Sequence, residues 1–235
     1  MNYMFTPLET HYDQGFGAVA ISFVHAADVV AEPESSISSI NSHLPASFLY
    51  RHAIELFLKS GIIILHRKLN IPWGSGVSDE PQVPVAGKWK PLYSVHNLTP
   101  LYEHLAGLMQ EHAEYLTSTT NTKWVFPTEF TAWINEIDAT DSSSTFFRYP
   151  VTKHADRDGQ KSSIKAEDYH QIIARMGPDA PPQKAFFVLD ENDNVVHSYR
   201  LDRMQVNEKL DVLHNTANCL YGCHAAMRAE LTDDW

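Results

Sequence analysis

Basic clusters, paired cysteines, long apolar runs and nucleotide-binding glycine patterns are all missing from this sequence of 235 residues. Lys and Arg number 18 against 29 Asp and Glu, a formal charge of -11, and no basic run interrupts that excess. A surface that tracks phosphates announces itself by clustered Lys and Arg, so the acidic balance argues against broad nucleic-acid binding and leaves room only for a local site. The 13 histidines reduce the negative charge below neutral pH. Cys219 and Cys223 stand four apart in a helical pattern, which separates their Cβ atoms by about 5–6 Å. An unstrained disulfide needs roughly 3.5–4.5 Å, so both are expected to be free thiols. No apolar run approaches about 18 residues, which argues against a membrane span. The N-terminal MNYMFTPLETHYD has neither a basic n-region nor an apolar core, so the expected location is cytoplasmic. Walker, dinucleotide and Gly-x-Ser-x-Gly motifs are absent, and no cofactor is expected.

What is present is a nearly all-apolar helix carrying a narrow ionisable stripe, Leu49-Tyr-Arg-His-Ala-Ile-Glu-Leu-Phe-Leu-Lys59. At about 100° per residue, Arg51, Glu55 and Lys59 fall on successive turns of one face with His52 beside them. A buried charge is costly unless paired. The stripe is therefore either a self-neutralising Arg-Glu-Lys ladder or the wall of a polar site.

The chain reads as a single domain over 1–235, mainly α, a four- to five-helix bundle with a long loop and a small β-hairpin insertion at about 142–202 before the last helix. Thr6-Pro7-Leu8-Glu9 has capping-box form and predicts that the first helix begins there, with Phe16, Ala20, Phe23, Ala27 and Val30 on its apolar stripe. A second helix is expected from near Pro45 to about Leu69, ending in His66-Arg67-Lys68. Residues 70–95, with three glycines and four prolines, read as a long ordered loop. Thr99-Pro100 and Pro127 open a third and a fourth helix. Ala166 to Arg175 forms a brief helix, and Ala185 to Leu201 forms a hairpin around Asp-Glu-Asn-Asp-Asn. The last helix runs from about Met204 to Leu231. Phe57, Ile62, Ile63, Ile64 and Leu65 exceed what one apolar stripe can bury, which predicts a homodimer with its interface on a bundle helix.

Three segments taken in order, Leu49 to Lys59, His96-Asn-Leu-Thr-Pro-Leu-Tyr-Glu-His-Leu105 and Asp141-Ser-Ser-Ser-Thr-Phe-Phe-Arg-Tyr-Pro150, together resemble HEPN-like (higher eukaryotes and prokaryotes nucleotide-binding) bacterial proteins. The resemblance spans roughly residues 45–150. It implies an all-α bundle, frequent homodimerisation, and a superfamily rich in metal-independent ribonucleases of toxin and phage-defence systems. Catalytic members carry an Arg, a polar residue, three further residues and a His. Arg51-His52 starts that pattern, but position 56 is Leu; Arg148 and His154 are six apart and match a looser spacing, with Pro150 between them.

Metal-independent RNA cleavage needs a base for the 2′-hydroxyl, an acid for the leaving oxygen and cations at the phosphorane-like transition state. His52, His96 and His154 are the candidates for proton transfer, and Arg51, Lys59 and Arg148 for phosphate or oxyanion contacts, with Glu55 in the same polar stripe. Three have a structural alternative besides the stripe itself: Arg148 as a guanidinium tying the Phe-rich turn to Glu55 or to carbonyls, His96 as a helix cap or packing residue, His154 as a solvated loop residue. His214, Cys219, Cys223 and His224 share one helix but lack a second pair for a zinc spacing. His104 and His112 lie about 12 Å apart along their helix, so no metal site is expected. The implied function is an RNA endonuclease with a non-standard Arg/His arrangement. The alternative is a non-catalytic helical module for dimerisation or protein binding. Expected partners are a second copy, RNA, or a protein of a defence or toxin–antitoxin system, with no membrane involved.

Overall fold

The computed structural model of the chain describes residues 3–32, 40–74, 76, 79–152, 155–177 and 183–234. It is mainly helical with two small antiparallel sheets. The order is α1 (Phe16–Ala31), α2 (His43–Lys68), β1 (Gln82–Val85), β2 (Lys88–Pro91), α3 (Leu98–Glu111), α4 (Ala113–Thr119), α5 (Phe130–Asp141), α6 (Ala155–Asp158), β3 (Ile164–Ala166), α7 (Tyr169–Ala174), β4 (Ala185–Leu189), β5 (Val195–Leu201) and α8 (Met204–Leu231). Among the described residues no helix is long and apolar enough to cross a membrane.

The centre of the molecule is α2. Every residue from Ala53 to His66 is buried, because α1, α3 and α8 pack around this one helix, and α5 closes the layer against α3 and α8. A helix that is apolar on all sides needs such enclosure. Each buried Ile or Leu contributes about 1.5–3 kcal/mol. Pro45 is tolerated in the first turn of α2, where backbone N–H groups have no intrahelical acceptor. Two glycines set close approaches. A Cβ on Gly61 would lie 3.0 Å from Leu105 Cδ1 of α3, and one on Gly17 only 2.1 Å from the His224 ring of α8.

Several expectations change. The first α-helix begins at Phe16; near Thr6 there is only a short 3-10 turn, Leu8–Thr10, which the Thr6 hydroxyl does not cap, since it donates to Tyr3 O at 2.9 Å and lies 2.7 Å from His11 Nε2. Residues 70–95 are not all loop: β1 and β2 form a hairpin through Ala86 and Gly87, both at positive φ (50° and 76°), the two-residue turn that suits strand twist. The expected hairpin near the C-terminal end exists but gains a third strand, in the order β3-β5-β4. Phe57, Ile62, Ile63, Ile64 and Leu65, more apolar surface than one stripe buries, are all buried within the chain. Those five side chains are therefore not available to a dimer interface.

Candidate functional site

The α2 stripe folds into a closed charge network. Arg51, Glu55 and Lys59 are 0%, 1% and 2% exposed. The i,i+4 spacing stacks them, so Glu55 Oε2 accepts from Arg51 Nη1 and Glu55 Oε1 accepts from Lys59 Nζ at 2.7 Å. Arg51 Nη2 donates to the His96 carbonyl just before α3 and to the Asp141 carbonyl at 3.5 Å. Its Nε faces Asp141 Oδ2 at 4.0 Å, an ion pair without a hydrogen bond. Burial alone would raise the Glu55 carboxyl, but Lys59 and Arg51 outweigh it and hold the group below its ordinary value. Glu55 is thus an ionised carboxylate sealed between two cations.

His96 forms the outer edge of this network. Its side chain is 53% exposed, with Nδ1 at 3.0 Å from Glu55 Oε1. An ionised carboxylate only accepts, so Nδ1 carries the proton and Nε2 is the ring nitrogen left over. His96 does not cap α3. That helix start is capped from α5, where the Asp138 carboxylate accepts from Leu98 N at 3.0 Å and Thr99 N at 3.3 Å.

Among the described candidates, His52 and Arg148 are held by aromatic contacts. His52 is half-buried on α2, edge-on to Phe23 at 4.6 Å and parallel to Phe48 at 6.0 Å. Burial lowers its pKa, Glu55 opposes this, and the cations Arg51, Lys59 and Arg148 add to the lowering. It is a neutral packing histidine at pH 7. Arg148 is exposed, its guanidinium 5.3 Å from the Phe48 ring centre, a cation–π contact. It ties the Phe-rich turn to α2 through that ring, where the sequence suggests Glu55 or backbone carbonyls as the anchor. His154 lies outside the described residues.

Asp141 is the participant that periodicity missed. It ends α5, and its Oδ1 accepts from Thr145 N at 2.6 Å and Phe146 N at 2.8 Å, closing the turn. An acid at a helix end before Ser-Ser-Ser signals such a turn. Nothing local signals that its other oxygen faces Arg51, ninety residues earlier. Beside it opens a cleft of about 390 Å³ walled by Ser143, Thr145, Tyr149 and Arg157.

Two further polar clusters are buried. Ser60 Oγ donates to Asp13 Oδ2 at 2.6 Å and accepts from His224 Nδ1 at 3.0 Å. A nucleophilic serine must hand its proton to histidine; here the hydroxyl donates a hydrogen bond to the carboxylate instead, and all three side chains are buried. Burial lowers the His224 pKa to about 4 despite Asp13. In the other cluster His66 Nδ1 donates to Ile71 O at 3.2 Å, which leaves its Nε2 to accept from His104 Nε2 at 2.9 Å. Burial, then His66, lowers His104 to about 4. The Cys219 and Cys223 thiols are both pushed up by burial, Cys223 to about 12, which suppresses the reactive thiolate. Among the described residues no group of three or more His, Cys, Asp or Glu is arranged to hold a metal ion. No protein-family model, curated protein or solved structure matches this chain.

Proposed function

We propose that the protein is a non-catalytic helical module that acts by binding, with the charged stripe of α2 serving as part of its scaffold. The observation that carries this reading is the burial of Arg51, Glu55 and Lys59 with every charge engaged by protein groups. A cation that contacts phosphate in a transition state needs an open face, and neither Arg51 nor Lys59 has one. The acidic overall charge points the same way. Purified protein incubated with total RNA, with and without chelator, is expected to leave the RNA intact. Cleavage that persists in chelator would overturn the reading.

One feature favours a second reading, the metal-independent ribonuclease of a bacterial toxin or phage-defence system that the HEPN-like resemblance implies. Glu55 orients a half-exposed His96 through Nδ1, the arrangement by which a carboxylate readies the other imidazole nitrogen as a general base. In that case His96→Ala lowers cleavage by about 10²–10⁴-fold, while Arg148→Ala weakens RNA affinity. Unchanged cleavage by His96→Ala removes this second reading.

A further inference from the structure

β4 is an apolar strand left in water. In the order β3-β5-β4 it is an edge, paired among the described residues to β5 alone. Phe186, Phe187, Val188 and Leu189 are 39–51% exposed. Successive residues of a strand point to opposite faces, so neither face of β4 is covered by the bundle. The usual protections of an edge are a charge, a proline or a bulge within the strand. This one reads Ala-Phe-Phe-Val-Leu, and the bulge near its end places the extra residue, Val196, on β5.

The ladder shows which backbone groups are free. Leu201 N donates to Lys184 O at 2.9 Å, so Lys184 turns its peptide groups toward β5, and by the alternation of antiparallel pairs Phe186 and Val188 do likewise. Ser198, opposite Phe187, sends its carbonyl the other way, to Glu167 N at 3.2 Å. The peptide groups of Ala185, Phe187 and Leu189 therefore face the open edge.

The strand is complementary to itself about Phe187. In an antiparallel register centred there, Ala185 meets the second copy's Leu189 and Phe187 meets its own counterpart, which uses only the outward-facing groups. Phe186 falls opposite Val188, an aromatic and β-branched pair. At both ends Lys184 falls opposite Asp190, whose carboxylate is already fixed by Asn192 N and Asn194 N at 2.8 and 2.9 Å. We propose that the protein self-associates through β4, two copies joining edge to edge about a two-fold axis at Phe187 into one continuous antiparallel sheet. This deepens the binding-module reading by naming its surface and partner. It is tested apart from it, since RNA cleavage bears on that reading and oligomeric state on this one.

Light scattering on the full chain at micromolar to submillimolar concentration is expected to give twice 26.6 kDa. Phe187→Lys sets like charges directly opposite each other at the axis and should raise the dissociation constant at least about tenfold, a loss of about 1.4 kcal/mol, with an unchanged circular dichroism spectrum. Register is read by oxidation. Phe187→Cys pairs with itself at a Cα separation of about 5.5 Å, within disulfide reach, whereas Phe186→Cys faces Val188 and lies beyond about 7 Å from its own counterpart. Mass spectrometry should therefore find an intermolecular disulfide at position 187 and none at 186. A monomeric wild type, a dimer that survives Phe187→Lys, or no disulfide at 187 overturns the proposal. If Phe187→Lys does not fold, the cysteine pair decides it.

Discussion

α2 and the β4–β5 hairpin place side chains in opposite ways: α2 buries an arginine, a glutamate and a lysine, while β4 holds two phenylalanines, a valine and a leucine in water. Topology, more than side-chain polarity, makes the difference. α2 is enclosed by α1, α3 and α8, so whatever it carries is desolvated, and its charges survive only because each has a partner. β4 pairs with β5, which in turn meets β3 and α7, so among the described residues its apolar side chains stay about half exposed. A charged stripe on an apolar helix is therefore poor evidence of a ligand site until the enclosure of that helix is known. A short apolar strand far from the core is the better pointer to a surface.

Glu55→Ala leaves Arg51 and Lys59 buried without their shared acceptor, which is expected to destabilise the fold by about 3–5 kcal/mol in denaturant melts. A loss below about 1 kcal/mol, typical of an exposed ion pair, would mean that water reaches the network.

Acidification acts on the same enclosure with an intermediate effect. The folded-state pKa values of His52, His66, His104 and His224 are all lowered by burial, His104 and His224 to about 4, against an ordinary value of 6.5. Between those values the unfolded chain binds more protons, so stability rises with pH and is lost as pH falls from 6.5 toward 4. Thermal melts should show the midpoint dropping from pH 7 to pH 5, and His104→Gln should flatten that slope. A midpoint that is flat or rises on acidification would show these imidazoles to be solvated.

The smallest effect belongs to the sheet. Val196→Thr, on the exposed bulge of β5, should change stability by less than about 0.5 kcal/mol. A larger loss would mean that the bundle covers this face.

The long helices were legible because their signals are local. α2 and α8 lie within two residues of the bounds read from periodicity and the basic last turn. The β1–β2 hairpin was hidden by Pro84 and Pro91, residues that normally argue against a strand. They are tolerated because both strands of a two-stranded ribbon are edges. The Thr6 capping box failed for a tertiary reason, its hydroxyl being drawn to Tyr3 and His11. In the site, the Arg51-Glu55-Lys59 ladder follows from spacing alone. Asp141, the His96 carbonyl and the Ser60–Asp13–His224 set depend on chain segments 45 to 164 residues apart, which no periodicity encodes.

The structural role of the α2 stripe is tested most directly by comparing denaturant melts of Glu55→Leu with those of the triple variant Arg51→Met, Glu55→Leu and Lys59→Met. Removing one member of a buried ionic set strands the others, whereas replacing the whole set by apolar side chains of similar volume is often neutral or stabilising. If the stripe is scaffold, the triple variant recovers most of the about 3–5 kcal/mol lost by the single one. A triple variant as unstable as Glu55→Leu, or more so, would contradict that role.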